Sequence, residues 1–115
     1  MRSERTTEAL GYYLPNGHPD FGKIHNNIGI VHAAKDQRAL ARQELETALQ
    51  LLQALHSNQP HPDIATCISN IGSLCRQLKD YDTAKDLQKQ ALEIRIQTLP
   101  LTHIDIAMSF HNLGI

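Results

Sequence analysis

The chain has 115 residues, 41% of them apolar and 20% charged, with a formal net charge of −1 and a pI near 6.6. That length and balance suit one domain with a modest core. They exclude the basic stripe that nucleic-acid binding needs, and no apolar run reaches the roughly 20 residues of a membrane-spanning helix.

Internal repetition organises the chain. His18-Pro19-Asp20 recurs as His61-Pro62-Asp63 and, weakened, as His103-Ile104-Asp105, at intervals of 43 and 42 residues. In the same register Asn27-Ile28-Gly29 aligns with Asn70-Ile71-Gly72 and Asn112-Leu113-Gly114, Ala41 with Ala84, and Ala48-Leu49 with Ala91-Leu92. Several matches in one register over more than two periods mark a repeat architecture.

In chain order, residues 1–17 match the second helix of a preceding unit only loosely, with Gly11, Tyr12 and Tyr13 where better helix formers are expected. The opening MRSERTTEAL lacks the apolar centre of a signal peptide. Units then run over residues 18–60 and 61–102, and 103–115 holds a truncated first helix. Each first helix opens at His-Pro-Asp, with Pro favoured at the first helical position and Asp near the positive end of the helix dipole. In the middle unit Ala65, Ile68, Ile71, Gly72 and Cys75 form an apolar stripe at helical spacing. A turn is predicted at Lys79-Asp80-Tyr81-Asp82. The second helix carries Ala84, Leu87, Ala91, Ile94 and Leu99 inward, and Pro100 ends it. Gln37-Arg38 in the first unit predicts a different turn there. Gly29, Gly72 and Gly114 fall mid-helix in register. Gly costs about 1 kcal/mol there relative to Ala, so close helix approach against Ala41, Ala48, Ala84 and Ala91 is expected. The chain stops within a first helix, leaving Phe110 and Leu113 short of packing. That reads as a segment of a longer array, or as an end through which copies self-associate.

The pattern of Gly72, Tyr81, Ala84 and Ala91 resembles the tetratricopeptide repeat. HPDIATCISNIGSL with ALEIRIQTLP resembles the 42-residue repeats of kinesin light chains and nephrocystin-3-like proteins, over about residues 8–115. The resemblance implies an all-α, right-handed α-solenoid of antiparallel helix-turn-helix units. It departs at His32 and Cys75, where the family commonly has an aromatic residue.

The resemblance also implies that first helices line a concave groove. Spacing gives those helices a polar stripe: Thr66, Ser69, Asn70, Ser73 and Gln77 in the middle unit, Lys23, Asn26, Asn27, Ile30 and Ala34 in the first, and Met108, Ser109, His111, Asn112 and Ile115 in the third. The candidate groove residues are Lys23, Asn26, Asn27, Thr66, Asn70, Ser73, Arg76 and Asn112. An Asn amide can donate to and accept from a peptide backbone, and the resemblance implies such contacts for Asn27, Asn70 and Asn112. Bridging to a neighbouring helix is the equal alternative for that row. Lys23 and Arg76 offer charge for an acidic peptide, against simple solvation.

No metal site is expected. His18, His61 and His103 lie one repeat apart, and His25 and His32 stand about 10 Å apart along one helix, too far for bonds near 2 Å. With no GxSxG, phosphate-binding glycine loop or paired catalytic carboxylates, the chain is expected to be no enzyme and to need no cofactor. Cys67 and Cys75, about 12 Å apart by helical rise, are expected to be buried free thiols in a reducing, cytoplasmic setting. The expected function is a scaffold that docks a peptide or partner protein, without nucleic acid or membrane. The alternative is a spacer or regulatory arm of a larger protein, including an enzyme or a motor-associated one.

Overall fold

A computed structural model describes residues 20–114. The expectations for residues 1–17, His18 and Ile115 lie outside the described residues. Five helices follow in order: α1 Asp20–Ala34, α2 Arg38–Leu55, α3 Pro62–Gln77, α4 Tyr81–Thr98 and α5 Ile104–Leu113. No strand occurs among the described residues. α1 pairs with α2 and α3 with α4. α2 then packs on α3, α4 on α5, and α1 also touches α3. The fold is an all-α repeat of helix pairs.

The repeat motif starts its helices with a cap that spacing alone did not assign. His61 is extended, and its Nδ1 accepts the Asp63 N–H at 3.0 Å, with Pro62 beginning the helix. His103 repeats the arrangement with the Asp105 N–H, also at 3.0 Å. The imidazole thus satisfies one of the orphan donors of the first turn.

The turn in the second unit is shorter than predicted. Tyr81 and Asp82 are already helical, because Asp80 caps α4 by accepting the Thr83 N–H. Only Leu78, Lys79 and Asp80 connect the helices, with Lys79 left-handed at φ 66°. The first unit turns in the same way, against expectation. Asp36 has φ 63°, and Gln37 donates its N–H to His32 O at 2.8 Å, as Asp80 does to Cys75 O at 2.9 Å. The difference is confined to capping. Gln37 makes no side-chain cap; its Oε1 lies 2.8 Å from His32 Nδ1 instead.

The apolar stripe is buried as predicted: Ala65, Ile68, Ile71 and Cys75 with Ala41, Leu45, Ala48, Leu52, Ala84 and Ala91 form one core, and Leu87 and Ile94 pack against it. Leu99 is not on the inner side of α4. It is the extended C-cap residue, a conformation favoured immediately before proline.

Two of the three in-register glycines make the expected close approach. A Cβ on Gly29 would lie 2.8 Å from Leu45 Cγ and 3.2 Å from the Ala41 carbonyl. One on Gly72 would lie 2.9 Å from Gln88 Nε2 and 3.4 Å from the Ala84 carbonyl. Gly114 differs: it is the left-handed C-cap of α5 at φ 76°, with open space around it. The tightest position is Gly22, whose Cβ would meet Leu52 Cγ at 2.6 Å. Its repeat equivalents are Ala65 and Ala107, a small-residue register that would have located it.

The polar stripe needs correction at three positions. Asn26, Ser69 and Ser109 are buried, at 9%, 8% and 0% exposure. Each has a partner on another helix. Ser69 Oγ donates to Gln88 Oε1 at 2.9 Å and Gln88 Nε2 donates back to Ser69 O at 3.1 Å. Arg95 Nη1 donates to Ser109 Oγ at 2.7 Å. Burial pulls the Arg95 guanidinium below its usual range, with Asp105 opposing. Small polar residues read as solvent-facing by spacing, yet these three sit where a neighbouring helix supplies a partner. A fourth interior couple, His25 Nδ1 and Glu44 Oε2 at 2.6 Å, joins α1 to α2.

Both cysteines are free and buried. Cys67 Sγ donates to Leu45 O at 3.2 Å, and burial pushes its thiol up to about 12 from 9.0. The unfolded chain therefore loses this proton first as pH rises. Stability carried by the protonated thiol is complete below pH 9 and declines from there toward 12. At about pH 10.5 the loss is about 2 kcal/mol, at 1.36 kcal/mol per unit. Urea unfolding at pH 8.5 and 10.5 should show this decline in the wild type and a shallower one in Cys67→Ala. Equal slopes would count against it.

Candidate functional site

The predicted groove residues fall into three depressions along the first helices. Lys23, Asn26, Asn27 and Thr66 line one of about 190 Å³ between α1 and α3, with Asp63 and Leu52. Asn70 and Ser73 line a second of about 130 Å³, with Ile30, Ala33 and Leu45. Arg76 and Asn112 line a third of about 220 Å³ among α3, α4 and α5, with Tyr81, Lys85 and Gln88.

The asparagine row divides. Asn70 Nδ2 donates to Asn26 Oδ1 at 3.1 Å, joining α3 to α1. Asn70 therefore bridges helices, and its partner is Asn26 and not its repeat mate Asn27. The one-residue offset arises because the bridge runs between neighbouring helices and not along the repeat register. Asn27 is exposed, and Asn112 is half-buried at the rim of the third depression.

The charges divide too. Lys23 Nζ lies 3.5 Å from Asp63 Oδ2, so its charge is already met within the protein. Arg76 and Lys85 enter no ion pair among the described residues. The second and third depressions occupy equivalent repeat positions, yet Ala33 is replaced by Arg76 and Leu45 by Gln88. The third is accordingly the more polar and the only one of the pair with cations. Sequence reasoning misses Lys85 and Gln88 because both belong to a second helix, whereas the family resemblance assigns the groove to first helices alone.

Around the connection between α2 and α3, His56, His61 and Asp63 converge, with candidate ligand atoms all within 4.8 Å of one another. Comparing histidines along helices and between repeats could not find this group, because the 56–61 loop brings its members together.

No helix among the described residues is long and apolar enough to cross a membrane. A family model described as a tetratricopeptide repeat matches residues 20–97, a span that runs from the start of α1 nearly to the end of α4. Repeats of that family are generally protein–protein interaction modules.

Proposed function

Since the chain belongs to the tetratricopeptide repeat family, we propose that it is a scaffold segment that binds a peptide or partner protein along its first helices, and that it acts by docking and not by catalysis. The observation that carries this reading is the third depression, where Arg76 and Lys85 stand beside Asn112 without an ion-pair partner among the described residues. Unpaired cations around a concavity complement an acidic ligand group, and charge complementarity of this kind governs specificity and association rate. Asn27 extends the surface along α1 with an exposed amide. The buried free thiols fit a reducing compartment such as the cytoplasm.

The test compares variants of the full chain in affinity capture from cell extract, with captured proteins identified by mass spectrometry. Arg76→Glu with Lys85→Glu is expected to abolish capture of the principal partner and leave the melting temperature unchanged. Asn27→Ala should weaken capture, also without a change in melting. Asn70→Ala should instead lower stability by about 1 kcal/mol, the usual worth of a hydrogen bond, because it breaks the bridge to Asn26. Normal capture by the charge-reversed variant would overturn the binding reading.

A further inference from the structure

The connection between the two helix pairs holds three metal-binding side chains. His56 is the C-cap residue of α2, His61 is the N-cap residue of α3, and Asp63 stands in its first turn. The two imidazoles stack with centroids 3.6 Å apart and planes 11° from parallel. His56 Nε2 is buried and has no hydrogen-bond partner, which is costly for a polar atom unless something else meets it. Asp63 Oδ2 lies 3.7 Å from His61 Nδ1. We propose that His56, His61 and Asp63 form a binding site for a zinc-class divalent transition metal, which clasps the end of α2 to the start of α3.

The donor set suits that class. Imidazole nitrogens favour zinc, copper and nickel over magnesium and calcium, and two histidines with a carboxylate leave a fourth position for water. Zinc bonds of about 2.0–2.2 Å draw donor atoms closer together than 4.8 Å, and a ring binds a metal in its own plane. Binding therefore takes the two rings out of the stack. On binding, His56 tilts away from the parallel position and Asp63 turns from Lys23. If His61 ligates through Nδ1 it gives up its cap bond to the Asp63 N–H, a loss of the size of one helix cap.

The repeat supplies an internal control. His103 and Asp105 reproduce the cap at α5, but the position equivalent to His56 is Leu99. That junction has one imidazole fewer and should not bind the metal in the same range. The clasp spans the joint between successive helix pairs, so occupancy would stiffen that joint. This inference is independent of the peptide-binding reading.

Calorimetric titration of the full chain with zinc chloride, and with cobalt chloride for its visible absorption bands, tests the site. One equivalent is expected to bind, with an increase in melting temperature. His56→Ala should weaken binding roughly tenfold or more, since even the loss of an outer-shell partner costs about that much. His61→Asn should do the same while keeping the helix start, because Asn is a strong N-cap. His103→Asn should bind as the wild type does. Absence of zinc binding at about 100 µM, a level any site of useful affinity would fill, or wild-type affinity in both His56→Ala and His61→Asn, would overturn the proposal. If circular dichroism shows that either variant unfolds, imidazole NMR shifts of the unmutated chain decide. Shifts of both His56 and His61 on adding zinc support the site, and their constancy refutes it.

Discussion

Replacing His25 with Ile alone should destabilise the fold by about 3–5 kcal/mol, and adding Glu44→Leu should recover that loss or exceed it. The reason lies in the repeat. His25 and Glu44 meet at 2.6 Å in the interior, with side chains 1% and 8% exposed. At the equivalent positions the second unit has Ile68 and Leu87, both part of the apolar packing. Removing the imidazole strands a buried carboxylate, which is far more costly than losing a surface contact. Removing both groups installs the solution the chain already uses one unit later. Urea unfolding of the two single variants and the double variant closes the cycle. A double variant no more stable than His25→Ile would show that the two positions are not coupled in this way.

Gly22→Leu should cost about 3 kcal/mol, the upper end of the overpacking range, and more than Gly72→Leu. At Gly22 the added Cβ meets Leu52 Cγ at 2.6 Å and Cδ2 at 2.7 Å. The Leu52 branch point is itself buried in the core and has nowhere to go. At Gly72 the nearest atom is the amide tip of Gln88 at 2.9 Å, which can swing aside at the cost of its bonds to Ser69. Thermal melts monitored by circular dichroism would rank the two. A smaller loss at Gly22 would mean that α1 and α2 can separate without penalty.

The fold was largely legible in the sequence, and the site only partly. Register matches located the helix starts, the buried stripe of α3 and the close approach at Gly29 and Gly72. The interior polar couples were not visible. Ser69 and Asn26 have the spacing of a solvent-facing stripe, and only the positions of Gln88 and Asn70 on neighbouring helices turn them inward. The asparagine row left ligand contact and helix bridging equal for the same reason, since a repeat register aligns equivalent residues while contacts such as Asn70 with Asn26 form between inequivalent ones. Gln37 is a misleading signal for the first turn, because the left-handed Asp36 before it fixes the turn and the capping side chain does not. His56 escaped notice because a loop, and not a helix or a repeat interval, places it beside His61.

The interior couples His25–Glu44, Ser69–Gln88 and Arg95–Ser109 sit at three different helix contacts, α1 on α2, α3 on α4 and α4 on α5, and no two are chemically alike. A stack of similar units invites mispairing, in which one helix docks where its counterpart belongs. Shifting the chain by one unit would set Glu44 against Ile68 and Leu52 against Ser109. The wrong assembly would bury a carboxylate without a donor and a hydroxyl without a partner. The polar couples thus work as keys cut differently for each lock, and a chain built from near-copies keeps a single order of assembly.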